Sequence, residues 1–276
     1  MDLNTVTSYR FARSRADLSL AAGEKVLGGG TWLFSEPQPD VTGLVDLSTM
    51  GWPDLEITDA GLRIGATCTI AALVAFAEGR GAQPVPEDWT AASVFPVAAN
   101  ALLASFKIWN TATVGGNVCQ SFCAGSMVSL ASALDGEAVI WTADGGERRQ
   151  SVASLMTGNG TNSLAFGEVL RAVDLPAHAL RARLRMRKIA LAELGRSGAV
   201  VTGRTDADGS AVFSVTAATL TPVVLRYDEL PDAAALAAAV SAAEGYYSDP
   251  LGAADWRRGV SIVLAEQIRT ELADGA

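Results

Sequence analysis

The stretch "LGGGTWLFSEPQPD", Leu27 to Asp40, sets three consecutive glycines after an apolar run and closes with two prolines. Only glycine takes a positive φ without strain and brings no Cβ to a close approach. A glycine cluster after a strand therefore marks either a tight turn or a surface where backbone meets a ligand. In the dinucleotide fingerprint G-x-G-x-x-G, such glycines open a helix whose N-terminus receives the pyrophosphate. Pro37 and Pro39 deny this chain that helix, the glycine spacing differs from the fingerprint, and no G-x-x-x-x-G-K-[ST] occurs. A phosphate bound here has to be held by successive backbone N–H groups in a turn, without a helix dipole. The motif by itself leaves the plain turn and the anion site both open.

A chain of 276 residues suffices for one large domain or two to three modest ones. With 49% hydrophobic and 18% charged residues it is globular rather than disordered. The formal net charge of -9 points away from nucleic acid and from anionic membrane surfaces, which select clustered Lys and Arg. The N-terminal stretch lacks a basic region followed by an apolar core, and no apolar run reaches the roughly 18 residues of a membrane span. A cytoplasmic location is therefore expected.

Along the chain, "EKVLGG", "GLVDLS" and "GLRIGA" read as short strands, with Leu44 to Leu47 continuous enough to be buried. "TIAALVAFAEG" reads as a helix with Thr69 as N-cap and Gly79 past its end. "PVAANALLASF" reads as a second, with Pro96 suited to its first turn. "KIWNTATVGGNVCQSF" returns to β-type and glycine chemistry. A buried helix or turn then precedes a strand from Ala138 to Trp141. Past "GEVLRAVDLP" the pattern changes to a separate α+β unit, with a boundary near Pro176. It holds two alternating strands around Asp208-Gly209 and the capped helices "DAAALAAAVSAAEG" and "DWRRGVSIVLAEQIRTEL". In the last helix Trp256, Val260, Leu264, Ile268 and Leu272 recur every four residues as one apolar stripe.

A second glycine motif, "TVGGN" from Thr113 to Asn117, carries a Thr and an Asn suited to phosphate or ribityl oxygens. Two such loops fit a long, bent dinucleotide better than either fits a turn alone. In order, "LGGGTWLF", "LVDLS", "IGATCTI", "WNTATVGGN", "LASALDGEAVI", "GEVLRAVDLP", "RKIAL" and "WRRGVSIVLAEQI" resemble the FAD-binding medium subunit of the molybdenum hydroxylases, the carbon monoxide dehydrogenase and xanthine dehydrogenase type enzymes. The resemblance covers nearly the whole chain. It implies an α+β fold with a two-lobed FAD-binding domain of the PCMH type over residues 1–176, its lobes about 1–53 and 54–176. A small C-terminal domain over 177–276, with a three-stranded sheet and helices, would follow.

The resemblance also implies where FAD would lie. Its pyrophosphate would sit against Gly28, Gly29, Gly30 and Thr31, with Val26, Leu27, Trp32 and Leu33 completing that wall. Thr113, Val114, Gly115, Gly116 and Asn117 would form a second wall, with Leu103 nearby. Leu170 and Lys188 match positions against the flavin, where a Lys ammonium would stabilise the anionic reduced ring. The chain also departs from the family pattern. Ser126 stands where the family carries an Asp toward the cofactor's hydroxyls, Trp109 where an Arg is common, and Trp32 where a polar residue is usual.

The remaining candidates carry less chemistry. Cys119 and Cys123 have the spacing of one helical face, and Cys68 adds a third thiol, but an iron–sulfur cluster needs four ligands. They read as small hydrophobes, and no metal site is expected. His178, the one histidine, has no nucleophile partner and reads as a surface residue. Arg181, Arg183, Arg185, Arg187 and Lys188 would form a basic strand face.

The leading expectation is an electron-transfer flavoprotein subunit. A large partner subunit would hold molybdopterin, a small one 2Fe-2S clusters, and the whole would form a dimer of heterotrimers. No catalytic acid or base is assigned to this chain. The alternatives are a self-sufficient flavin oxidase or dehydrogenase and a cofactor-poor scaffold subunit.

Overall fold

The computed structural model describes residues 3–102, 106–193 and 195–275. Three short strands, β1 (Ser8–Phe11), β2 (Glu24–Leu27) and β3 (Gly43–Asp46), form a wholly parallel sheet in the order β1-β3-β2. The central strand β3 is buried along its whole length. That is the setting in which a continuous apolar run, rather than an alternating one, is stable as a strand.

A five-stranded antiparallel sheet follows, in the order β4-β5-β10-β6-β7. Its hairpin β4 (Leu55–Thr58) and β5 (Gly61–Gly65) leads into five helices: α1 (Ile70–Ala77), α2 (Phe95–Ala101), α3 (Phe106–Trp109), α4 (Val114–Gln120) and α5 (Ser126–Ala133). The chain returns through β6 (Glu137–Trp141) and β7 (Glu147–Ser151). It then passes α6 (Val152–Leu155) and a small hairpin of β8 (Met156–Gly158) and β9 (Thr161–Asn162), and closes the sheet with β10 (Val169–Pro176). Local signals fix several of these bounds. Thr69 Oγ1 accepts the Ala72 N–H at 3.1 Å as the N-cap of α1, Gly79 past its end has φ +70°, and Pro96 lies in the first turn of α2. The main core fills the space between this sheet and the helices, with Leu62, Ile64, Leu73, Phe76, Phe95, Met127, Leu134 and Ile140 all buried. The other sheet face is charged: Arg63 makes a bidentate pair with Asp174 at 2.7 and 2.8 Å, and Arg149 reaches the same carboxylate at 2.9 Å.

Strand β10 slips register between Leu170 and Ala172. A bulge of this kind turns its extra residue out of the alternation. Arg171 thereby lies over the Trp52 ring at 4.7 Å and within 5.9 Å of Trp141. Val169 joins the small core beneath the first sheet, and Leu170 joins the main core. The bulge thus serves two cores from adjacent residues.

The last part runs from α7 (Ala177–Arg181) through β11 (Arg183–Ala190), β12 (Ser197–Thr205), β13 (Ala211–Thr216) and β14 (Val223–Tyr227) to α8 (Ala233–Ala242) and α9 (Ala254–Asp274). Its sheet has four strands, one more than expected, in the order β11-β12-β13-β14. The extra strand is the basic run, which pairs along β12 from Arg183↔Thr205 to Ala190↔Ser197. Its basic face stays partly exposed and is paired with the end of α9. Glu271 pairs with Arg187 and lies 3.5 Å from Arg185, while Arg183 donates to the Leu272 carbonyl at 2.8 Å.

Helix α9 also departs from the simple stripe. Leu264, Ile268 and Leu272 are buried as expected, but in the first half Arg257 and Ser261 are buried while Trp256 and Val260 are only half-buried. A buried guanidinium is tolerated when every donor is used. Arg257 gives Nη1 to the carbonyls of Gly198 and Ala217 at 2.5 and 2.7 Å and Nη2 to Asp249 at 2.5 Å, and it stacks over Tyr247 at 4.1 Å. The helix starts one residue before Asp255, with Ala253 at the cap, so no side chain caps it. Asp232 does cap α8, accepting the Ala235 N–H at 2.8 Å.

Strands β12 and β13 are buried on both faces because α9 covers one and α5 the other. The α5 side is sealed by polar contacts across the boundary. Ser129 and Thr216 share a 2.7 Å hydrogen bond, and buried Arg204 donates to the Ala133 carbonyl at 2.6 Å. Arg204 also pairs with Asp135, which receives Arg226 at 2.5 Å and has His178 Nε2 at 3.5 Å. Burial pushes the Asp135 carboxyl up, but the hydrogen bonds from Arg226 and Arg204 outweigh it and hold it at about 2.

A folded-state pKa below the ordinary carboxylate value of roughly 3.9 contributes stability that is complete above that pH and lost as the pH falls through the folded value. Asp135→Ala should destabilise the chain by about 2 kcal/mol at neutral pH. The gap to wild type should close between about pH 4 and pH 2, as thermal melts across that range would record.

Candidate functional site

The two glycine motifs meet. Strand β2 ends at Leu27, and the chain turns through Gly28, Gly29 and Gly30 into a single helical turn closed by Phe34 N–H to the Gly30 carbonyl at 2.9 Å. The turn goes no further, in keeping with Pro37. A Cβ on Gly29 would collide with the Thr111 carbonyl, and one on Gly28 would come 3.0 Å from Thr113 Oγ1. Gly30 has φ +70°, the left-handed region that favours glycine. The first motif is therefore glycine-rich in part because it lies directly on the backbone that leads into the second.

The second motif is helical, which corrects its reading as β-type. Thr113 is the N-cap of α4, its Oγ1 accepting the Gly116 N–H at 2.9 Å. The available signals were a Thr at the cap position and the apolar pair Val114 and Val118 four residues apart, outweighed by the glycines. A Cβ at Gly115 would strike Ala66, so this glycine lets α4 pack on the end of β5. Helical spacing divides the motif. Val114 and Gly115 turn into the protein, whereas Thr113, Gly116, Asn117 and Gln120 share the face that lines a cleft of about 500 Å³.

That cleft brings together Val26, Leu27, Gly28, Gly29, Gly30, Thr31, Trp32 and Leu33 on one wall and Thr113, Gly116 and Asn117 on the other. Sequence reasoning missed Lys25, Ser35, Gln38, Leu102, Ile108, Ala112, Cys119, Gln120 and Phe122, which also line it. Lys25 was legible as the residue before a quoted apolar pair. Cys119 and Gln120 follow from the helical face once α4 is known. Among the lining residues Lys25 is the one with a formal charge, and no carboxylate is present.

The walls differ in what they offer a ligand. The first amides of α4 are already used: Val114 donates to Cys68 at 2.8 Å, Gly115 to Ala66 at 3.1 Å, Gly116 to Thr113 Oγ1 and Asn117 to the Thr113 carbonyl at 2.9 Å. The glycine turn is the reverse. Among the described residues, no backbone N–H from Gly28 to Leu33 finds an acceptor. This turn is exposed or half-buried, so its amides are open to solvent and available to an anion, as successive N–H groups in such a turn can be. Asn117 Oδ1 accepts the Met127 N–H at 2.9 Å, which directs its amide N–H groups elsewhere. These donors, one ammonium and the absence of acid fit a diphosphate.

Other expected residues lie away from the cleft lining. Leu170 is buried in the main core on the inner side of the β10 bulge. Lys188 falls on the face of β11 opposite the basic one, and its Nζ donates to the Asn100 carbonyl at 3.1 Å. Ser126 opens α5, with its Oγ buried and unpartnered among the described residues. Trp109 Nε1 is likewise buried without a partner among them. Leu103 lies outside the described residues. Cys119 and Cys123 do not share a helical face, because α4 ends at Gln120 and Ser121 adopts φ 51°. Burial pushes the Cys119 thiol up to about 12, and that of Cys123 also rises.

A family model described as the FAD binding domain in molybdopterin dehydrogenase matches residues 12–178. Among solved structures, a chain of quinoline 2-oxidoreductase from Pseudomonas putida 86 superposes with a TM-score of 0.81 at 19% identity, over 100% of this chain and 99% of that one. A chain of reconstituted CO dehydrogenase from Oligotropha carboxidovorans gives 0.81 at 20% identity, over 98% and 99%. CO dehydrogenase from Hydrogenophaga pseudoflava gives 0.78 at 18%, over 97% and 96%. No relative is found among the curated proteins.

The contact between the motifs can be tested without ligand. Gly29→Ala should lower the stability of the ligand-free chain by about 2 kcal/mol or more, since backbone must move to admit the methyl. Gly51→Ala, at a position with φ +64° but open space, should cost only about 1 kcal/mol. Equal melting temperatures for the two variants would refute the close packing.

Proposed function

This chain belongs to the family of FAD-binding domains of molybdopterin dehydrogenases, and from that premise we propose that it is the electron-transfer flavoprotein subunit of a molybdenum hydroxylase. The observation that carries the site is the run of backbone N–H groups from Gly28 to Leu33 without an acceptor among the described residues, on residues that line a cleft whose named lining has one cation and no acid. Bound there, FAD supplies a redox centre that exchanges electrons singly or in pairs. Every other role is this chain's own.

In this reading the amides of Gly28 to Leu33 hold the diphosphate and Lys25 adds charge at the mouth. Thr113, Asn117 and Gln120 offer hydroxyl and amide groups to the sugar-like oxygens. Val26, Leu27 and Gly116 complete the walls. Val114 and Gly115 act by seating α4 on β5, and Ser126 lies behind the cleft, next to the Met127 amide that holds Asn117. We assign no catalytic acid or base to the chain, because its residues bind and orient the cofactor rather than move a proton.

We propose further that a small subunit with 2Fe-2S clusters supplies the electrons, that a large subunit holds the molybdopterin, and that the assembly is a cytoplasmic dimer of heterotrimers. The division into residues 1–176 and 177–276 is proposed on the position of the last sheet, which begins at Arg183 after β10 ends at Pro176. Within the first part, the three-stranded sheet lies before residue 53 and the five-stranded sheet after it. Among the described residues no helix is long and apolar enough to cross a membrane.

The visible spectrum of the protein purified with its co-purifying chains, with mass identification of extracted cofactors, tests this reading. FAD together with iron, molybdenum and two further polypeptides supports it. FAD alone, bleached by an organic substrate, favours a self-sufficient oxidase, and a colourless preparation leaves a scaffold. Lys25→Ala should weaken FAD binding about fivefold and reduce its dependence on salt, while Lys25→Arg should preserve both, as flavin fluorescence titration would record.

A further inference from the structure

Trp32 follows the glycine turn directly and is 42% exposed, although it lines the cleft. Its ring meets Phe122, from the segment after α4, at 4.6 Å between centroids and 71° between planes. The contact joins the two walls of the cleft edge to face. Such pairs fix ring orientation and contribute about 1 kcal/mol beyond area burial. A large indole left this open beside amides that have no acceptor among the described residues has apolar surface that water covers poorly and a flat ring covers well.

Accepting the diphosphate assignment made above, we propose that Trp32 is a stacking platform for one of the two heteroaromatic rings that flank the diphosphate of FAD, held at its angle by Phe122. The indole is adjacent in sequence to the amides that hold the phosphates. A ring joined to those phosphates through a single sugar or ribityl unit comes within its reach. Stacking of a base on an aromatic side chain is worth roughly 1–3 kcal/mol by truncation, equivalent to about five- to 150-fold in affinity.

The test is titration of the full apo chain with FAD, ADP and FMN, followed by quenching of tryptophan fluorescence and by calorimetry. Trp32→Leu should bind FAD about tenfold more weakly than wild type, and Trp32→Phe within about threefold. Phe122→Leu should fall between them. A loss shared by ADP assigns the platform to the adenine, and a loss shared by FMN assigns it to the isoalloxazine. Equal FAD affinity in Trp32→Leu, a loss that Trp32→Phe shares in full, or a loss seen with neither fragment overturns the stacking role. Melting temperatures of the variants separate misfolding from lost contact. Failure of the wild-type chain to bind FAD would instead overturn the site itself.

Discussion

The seat of the glycine turn on the backbone of Thr111 to Thr113 is the contact on which the cleft depends. The turn belongs to the small parallel sheet, and Thr113 begins a helix packed on the antiparallel one. Because Gly29 has no Cβ, the two backbones approach until the Thr111 carbonyl occupies the space a side chain would need. At Gly115 the same device brings α4 down onto Ala66. Close-packed backbone of this kind transmits position with little play, since neither partner can rotate away as a side chain can. The distance between the cleft walls is thus set by chain against chain, before any ligand arrives.

Different forces hold the rest of the molecule around that contact. Apolar packing between α1, α2, α5 and the five-stranded sheet supplies the bulk of the core. The junction with the last sheet includes two polar groups, Arg204 and Arg226 on Asp135 and the Ser129–Thr216 pair, each member with a partner. Buried charges are stable there because their hydrogen bonds replace those lost to water. Arg257 performs the same service at the far side of that sheet. Arg204 ties its strand to the carbonyl at the end of α5, and Arg257 ties α9 to the carbonyls of Gly198 and Ala217.

Much of the local structure was legible because it rests on neighbours in the chain. Thr69 and Asp232 announce helix starts, Gly79 a helix end, and Leu44 to Leu47 a buried strand, each through contacts within a few residues. The second glycine motif was misread for a related reason. Its glycines argue locally against a helix, and the reason for Gly115, the methyl of Ala66, lies about fifty residues away. Leu170, matched by resemblance to a position against the flavin, is packed by β10 into the main core, which residue order alone does not show. The basic run was legible as a strand face, but not its partner, because Glu271 of α9 lies more than eighty residues away in the chain.

The sequence by itself determined that a glycine turn without a following helix ends the first apolar strand, that a second glycine motif stands behind it, and that their order matches a flavin-binding family. These are statements about dihedral freedom and residue order, which the chain carries with it. Which amides lack an acceptor among the described residues is a matter of packing, not of residue order. Hydrogen-bond satisfaction depends on what lies opposite each donor, and the α4 amides find Cys68, Ala66 and Thr113 while those from Gly28 to Leu33 find no acceptor among the described residues. The same packing divided Thr113, Gly116 and Asn117 from Val114 and Gly115, and it put Lys25, Gln120 and the Trp32–Phe122 pair in the cleft.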